Sequence, residues 1–314
     1  MGVDLVITVL LAAYNGERFL PEQLSSLQSQ QGVEFCVLLQ DDGSADRTPG
    51  LIRQICAEDP RFRPGACAGQ HLGASQNFFS LIRQAGEGDV ALCDQDDVWL
   101  PDRLSACAEA LRQAEAELGA GTPILVHSDA AVTDASGQIL HEGFIRHQGW
   151  DPQARSLPQL LVQNNVTGCT VLFNDALRRL IAAIPDLSRL SMHDWFLAQA
   201  AAACGSVVFV PRALVRYRQH GANAIGASGQ SLTRRAFRAL RDLPAGRARI
   251  RLTYAEAEAL LAALGDALPA QSRRVIENYL ALQRLPRLRR LKALRDGGYL
   301  MQSPVTRLGQ LFFS

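Results

Sequence analysis

Residues 3–13, VDLVITVLLAA, are apolar apart from Asp4 and Thr8, and the run ends at Tyr14-Asn15-Gly16. A β-branched-rich run of that length closed by Asn-Gly predicts a buried strand and a turn. Phe19, Leu20, Leu24 and Leu27 then recur at helical spacing. VEFCVLLQ predicts a second strand, stopping at DDGSADRT, where Asp and Ser can cap the next helix, PGLIRQICAE. After a poorly patterned stretch, GASQNFFSLIRQA reads as a third helix and DVALC as a third strand. PDRLSACAEALRQAEAEL is a helix with Pro at its first turn, and TPILVHSDAAVTD a fourth strand. From about residue 140 the pattern loosens. LPQLLVQNNVTGCTVLFNDALRRLIAAI reads as helix, loop, strand and helix; SMHDWFLAQAAAACG as a helix; SVVFVP as a strand. ALVRYRQHGANAIG leads into a Gly/Ala/Ser stretch with the look of a linker, and residues 232–314 are helical and basic.

Strands alternating with helices predict an α/β architecture: an open, mostly parallel sheet covered on both faces. Such sheets bind ligands beyond the carboxyl ends of their strands. Asp41 and Asp42, the run Asp94-Gln95-Asp96-Asp97, and Asp129 all fall at that edge. The charge distribution sharpens the contrast. The net charge of +1 hides a basic tail, since residues 232–314 hold 16 Arg/Lys against 6 Asp/Glu and the remaining chain is acidic. An acidic body suits a metal site, and a basic tail suits an anionic surface. The seven cysteines are scattered without a Cys-x-x-Cys pair and read as reduced core residues of a cytosolic protein, not as a zinc site. The first apolar run has the length of a strand, not of a signal peptide, and no stretch reaches the ~20 apolar residues of a membrane span.

Three carboxylates within four residues repel one another, the more so as they are desolvated. A hard divalent cation relieves that repulsion, and Mg²⁺ or Mn²⁺ takes oxygen ligands together with substrate phosphates. The bland alternative is a helix cap and a solvated turn. Asp41-Asp42 could accept hydrogen bonds from a base or ribose, or simply close a turn. Asp194, between His193 and Trp195 at a helix start, could act as a general base or only as a cap. His220 in YRQHG could be a metal ligand, a phosphate contact or a structural histidine.

Taken jointly, the blocks LLAAYNGERFLPEQLSSLQSQ, LLQDDGSADRT, GASQNFFSLI, DQDDVWLPDRL, HSDAAVTDASG, NNVTGCTVLF, MHDWFLAQAAAACG and YRQHGANAIG resemble the nucleotide-sugar glycosyltransferases of family 2, which have the GT-A fold. They stand in the family's order across about residues 3–227, and the subgroup they most resemble is the bacterial rhamnosyltransferase-like one that builds cell-surface polysaccharides. The resemblance implies a GT-A catalytic domain over 1–227, with a nucleotide-binding part to about 130 and an acceptor-side part over 131–227. A basic helical region, 228–314, would follow. Ala13 and Tyr14 match the segment passing along the nucleotide, and Asp42, assisted by Asp41, the acid at the base. Asn77 falls on the nucleotide-side helix. Asp94 and Asp96 match the family's Asp-x-Asp, with Gln95 between them on the nucleotide. Asp96 would be the chief metal ligand and Asp94 nearer the ribose, with Asp97 in either role. Asp194 matches the catalytic base. His220 and Arg218 match the region closing over the diphosphate, and His193 and Trp195 flank the acceptor side.

The resemblance thus implies an inverting, metal-dependent transfer of one sugar. The donor would be a dTDP- or UDP-linked sugar and the acceptor a hydroxyl of a surface glycan or lipid-linked intermediate. The Gln-x-x-Arg-Trp motif of the family's processive synthases is absent, which points to single-sugar transfer. The tail segments RRAFRALRDLPAGRARIRL and LQRLPRLRRLKALRDGG mix Arg with Leu, Ile and Phe, and suit either an anionic membrane face or a cap on the catalytic domain. Rival readings are a nucleotide-sugar-binding module without catalysis and a metal-dependent phosphohydrolase or nucleotidyltransferase. Nucleic acid is not an expected partner, because the tail carries no recognised motif or aromatic platform.

Overall fold

The computed structural model describes residues 6–66, 71–220 and 243–314. The apolar run at the start forms β1 (Ile7–Ala13), buried except at Ala12, which is partly so. It is followed by α1 (Leu20–Gln28), β2 (Phe35–Asp41), α2 (Thr48–Glu58), α3 (Ala74–Gln84) and β4 (Val90–Asp94). Between α2 and α3 lies a three-residue strand, β3 (Phe62–Pro64), too short to leave a periodic signal. Beyond β4 come β5 (Val98–Trp99), α4 (Arg103–Leu118) and the long β6 (Ile124–Thr133). The acceptor-side half adds β7 (Ile139–His141), α5 (Phe144–Gln148), α6 (Leu157–Val162), β8 (Val171–Phe173), α7 (Asp175–Ala182), α8 (His193–Cys204) and β9 (Ser206–Arg218). Strand β9 runs well past the SVVFVP segment that predicts it.

The strands form one mixed sheet in the order β3-β2-β1-β4-β8-β6-β9-β5, with β7 on β6. Parallel pairing joins β3, β2, β1 and β4, and joins β6 to β9. Strand β8 enters antiparallel between β4 and β6, and β5 pairs antiparallel with β9. The register aligns Ala13 with Asp41 and Ala12 with Asp94, so the ends of β1, β2 and β4 share one edge. Alternation along β1 divides the core. Val9 and Leu11 face α1, α2 and α4; Leu10 faces α3, α6 and α8.

The basic tail forms α9 (Leu243–Leu264), α10 (Ala270–Ala281), α11 (Arg287–Asp296) and α12 (Pro304–Phe313). Its Tyr254, Leu260, Ile276, Tyr279 and Tyr299 belong to the same apolar cluster as Leu160, Phe196 and Leu197. These helices therefore close the core over α6 and α8. The expected linker, and the 227/228 boundary with it, lies outside the described residues.

Candidate active site

The site is assembled where β1, β2, β4 and β9 end. Strand β4 stops at Asp94, and Gln95-Asp96 make a turn before β5. The Gln95 amide accepts from Tyr14 N at 2.8 Å and donates to Tyr14 O at 2.9 Å. It thereby locks the β1 loop to the acidic turn, so Gln95 faces protein backbone. Gly16 makes this possible, since a Cβ there would stand 2.1 Å from Gln95 Oε1. Ala13 is buried below, while Tyr14 is exposed and its ring lies 4.4 Å from that of His71.

The DDGS segment is a turn closed by its own carboxylates. Asp41 accepts from Gly43 N, Ser44 N and Ser44 Oγ. Asp42 is buried and reaches across to Leu72 N (2.6 Å) and Gly73 N (2.8 Å), with His71 Nδ1 3.2 Å away. Asp42 thus fixes the loop entering α3 and carries His71 toward Tyr14. Asn77, on the first turns of α3, is buried with its Oδ1 unpartnered.

Asp94, Asp97 and the Cys169 thiol offer ligand atoms that all lie within 4.8 Å of one another. Burial, then Asp97, Asp96 and Asp194, push the Asp94 carboxyl well above the ordinary carboxylate range. Asp97 is raised to about 7 by burial and by Asp96, against the Cys169 thiol and the Arg218 N–H, which favour its ionised form. Asp97 Oδ1 accepts from Arg218 N at 3.0 Å, while Oδ2 is buried and has no hydrogen-bond partner. An orphaned carboxylate oxygen beside a second carboxylate fits a divalent cation. Cys169 is the odd donor. Burial holds its thiol protonated, and thiolate suits softer metals, so within this triad Asp94 and Asp97 would be the oxygen donors to a hard cation. Asp96 stands outside the triad and pairs with His220, its Oδ2 2.7 Å from His220 Nε2.

The end of β9 closes this side. His220 stacks on Phe19 at 4.6 Å. Arg218 is buried, its Nε on Asp96 O (2.9 Å), Nη1 on Ala135 O (3.1 Å) and Nη2 on Glu22 Oε2 (2.5 Å). Its guanidinium holds the acidic turn from behind. Below, fully buried Arg103 stacks on Trp99 and donates to Cys169 O and Val171 O, fixing the segment that bears Cys169.

Asp194 occupies the first turn of α8 and is buried; its Oδ1 accepts from Trp195 N at 2.6 Å. Burial raises its carboxyl to about 7, against backbone N–H groups that include Gly168. Its charge adds to those that raise the Asp94 carboxyl. The His193 ring lies 4.3 Å from that of Phe78, tilted by 30°; burial lowers it to about 3, so it is neutral. Trp195 points elsewhere, its indole N–H donating to Leu160 O at 2.6 Å within the core.

Sequence reading misses Gly16, Phe19, Glu22, His71, Arg103, Gly168 and Cys169. All but His71 stand inside the sequence blocks quoted above, but nothing local shows that they pack around the acidic turn; the Asn-Gly of the first turn is the signal at Gly16.

A mixed sheet flanked by helices, with carboxylates crowded where its strands end, has the GT-A architecture, and solved structures agree. The chain superposes on TarS 1–349 of Staphylococcus aureus, solved with UDP-GlcNAc. The TM-score is 0.56 at 14% identity, over 93% of this chain and 80% of that one. It superposes on the Pyrobaculum calidifontis mannosyltransferase PcManGT, solved with GDP-Man and Mn²⁺, with TM-score 0.54 at 15% identity, over 93% and 72%. The sequence pattern described as "Glycosyl transferase family 2" matches residues 8–181, and the chain belongs to that family. Among curated relatives, the dTDP-rhamnosyl transferase RfbG of Shigella flexneri is 26% identical over 69% of this chain and 74% of its own length. Of three mycobacterial relatives at 25% identity the chain spans only 59%.

Proposed function

We propose that the chain moves one sugar from a nucleoside-diphosphate sugar to an acceptor hydroxyl, with inversion. The observation that carries this is the pairing of Asp194, a buried carboxyl raised to about 7, with the crowded carboxylates at the end of β4. Asp194 takes the acceptor proton as the hydroxyl attacks the anomeric carbon, and the bond to the nucleoside diphosphate breaks on the opposite face. A single base suffices for this displacement, and no enzyme-bound glycosyl group is formed. Asp94 and Asp96 with His220, or Asp94 with Asp97, would hold Mg²⁺ or Mn²⁺. Such a cation supplies Lewis-acid stabilisation of charge on the departing diphosphate. The Tyr14–His71 ring pair offers a face for the base, and the loop that Asp42 anchors keeps it in place.

The relative named a dTDP-rhamnosyl transferase supports a dTDP donor and rhamnose; the structure solved with UDP-GlcNAc supports a UDP donor. A surface glycan or lipid-linked intermediate is the proposed acceptor. With such an acceptor the protein would work on the cytoplasmic side, at the inner face of the membrane, and residues 1–227 would be the catalytic part. Among the described residues no helix is long and apolar enough to cross a membrane.

The test is a thermal-shift series with UDP, dTDP and GDP, each with and without Mn²⁺, repeated on Asp96→Ala. Ligand at 100 times its Kd stabilises the native state by about 2.7 kcal/mol. The expected result is a metal-dependent shift with one nucleotide, absent in the variant. No shift with any nucleotide would overturn the reading. Donor cleavage that needs no acceptor hydroxyl would replace the transferase with a hydrolase.

A further inference from the structure

Helices α9 and α10 pack on α6, α9 also on α8, and α12 packs on α9; the exposed side of α11 and α12 has an unusual composition. Leu288 is 83% exposed, Leu308 62% and Phe312 52%. On α11, Leu288, Lys292 and Arg295 fall on one stripe at helical spacing, and Arg287 and Arg289 flank it. All four cations are exposed. On α12, Leu308 and Phe312 stand one turn apart, with exposed Arg307 beside them. Arg287 Nη2 donates to Phe312 O (3.2 Å) and Arg290 Nη1 to Ser314 O (2.9 Å). These bonds tie the first turn of α11 to the last turn of α12, so the two stripes adjoin. From Leu285 to Arg295, and again from Gly297 to Ser314, the sequence has no acidic residue.

We infer that the outer face of α11 and α12 is a docking surface for an anionic lipid bilayer. Leu288, Leu308 and Phe312 would enter the headgroup boundary, and Arg287, Arg289, Lys292, Arg295 and Arg307 would lie among lipid phosphates. Protruding apolar side chains ringed by cations match an interface that is anionic outside and hydrocarbon inside. A polyanion such as nucleic acid answers the charge but leaves the two leucines unused. A second copy of the chain would have to place this all-basic face near an acidic one, whereas a two-fold contact on the face itself sets cation against cation. The surface is distinct from the donor site and does not depend on the glycosyltransferase reading.

The experiment is co-sedimentation of the full chain with vesicles of phosphatidylcholine alone and of phosphatidylcholine with phosphatidylglycerol. It is repeated on Leu288→Gln/Leu308→Gln and on Arg289→Gln/Lys292→Gln/Arg295→Gln. All five positions are exposed, so folding is unaffected, and nucleotide thermal shifts serve as the control. Partition onto the anionic vesicles is expected, weakening with added salt. Each exposed cation near the surface contributes about fivefold, so the triple variant should lose about 100-fold. The leucine variant should lose partition without changing the salt dependence. Equal binding to neutral vesicles, or full binding by either variant, would overturn the inference. So would binding to duplex DNA with none to vesicles, or a concentration-dependent dimer that the leucine variant abolishes. Loss of the nucleotide shift with vesicle binding intact would fall on the proposed function alone.

Discussion

Asp194 combines a position at the start of a helix with nearly complete burial, and the two have opposite effects on its proton. Backbone N–H groups favour the carboxylate, desolvation opposes it, and burial wins, leaving the group at about 7. As the proposed base, Asp194 must be ionised to act, so the rate is expected to fall about tenfold per pH unit below 7 and to level off above it. Asp194→Asn should remove about 10²–10⁴-fold of kcat and abolish that limb while leaving nucleotide affinity in place. A pH–rate profile of the two proteins checks this. The same shift affects stability. The folded value lies above the unfolded value of about 3.9, so the unfolded chain loses its proton first as pH rises. Stability from this group therefore declines between about pH 4 and pH 7. Without metal, Asp194→Asn should raise Tm at pH 8, and the gain should shrink as pH falls toward 4; scanning calorimetry at both values decides it. Asp194 is legible in the sequence as an acid at a helix start beside His193. Its burial is not, because the residues covering it come from Gly168 and other distant segments.

At the level of elements, the site depends on loops that hold one another. The first loop is fastened to the acidic turn by Gln95, and Gly16 leaves the space for it. Gly16→Ala would press on the end of a flexible side chain, so stability should change little. Losing the two Gln95 hydrogen bonds should weaken nucleotide affinity about three- to tenfold, measurable by calorimetry. An unchanged affinity would show that Tyr14 is positioned independently of Gln95. The strands at this edge were readable because β1, β2, β4 and β6 are long and apolar. Strands β3, β5 and β7 were not, since two or three residues carry no period and they lack the run of three apolar residues that marks the equally short β8. Pairing direction was equally hidden: nothing in TVLF shows that β8 enters antiparallel between β4 and β6.

At the scale of the whole molecule, the basic tail completes the core. Leu260, Leu264, Ile276 and Tyr279 pack in the cluster that holds Leu160, Phe196 and Leu197. Ser272 Oγ also bonds to Ala203 O across the contact. A chain ending at residue 242 should therefore expose the outer faces of α6 and α8. The expected result is aggregation, or a Tm well below that of the full chain, seen by light scattering and circular dichroism. A soluble fragment with the full-length Tm would show that the first 242 residues form an independent unit. All six described cysteines are free thiols; Cys93, Cys107 and Cys169 are buried, while Cys36, Cys56 and Cys204 are only partly so.

The sequence by itself determined the longer strands, that the ends of β2 and β4 carry acidic residues, and that Asp194 opens a helix. These are local properties, set by periodicity and by caps a few residues apart. Tertiary structure alone decided which polar groups face the cleft. It turned Trp195 into the core, engaged Arg218 behind the acidic turn, joined Gln95 to Tyr14, and left Asp97 Oδ2 without a partner. Each outcome depends on contacts between residues some 35 to 196 positions apart, and on the water those contacts exclude. Hydrophobic pattern fixes the elements, but desolvation, and with it the proton affinity of Asp94, Asp97 and Asp194, arises only when they pack.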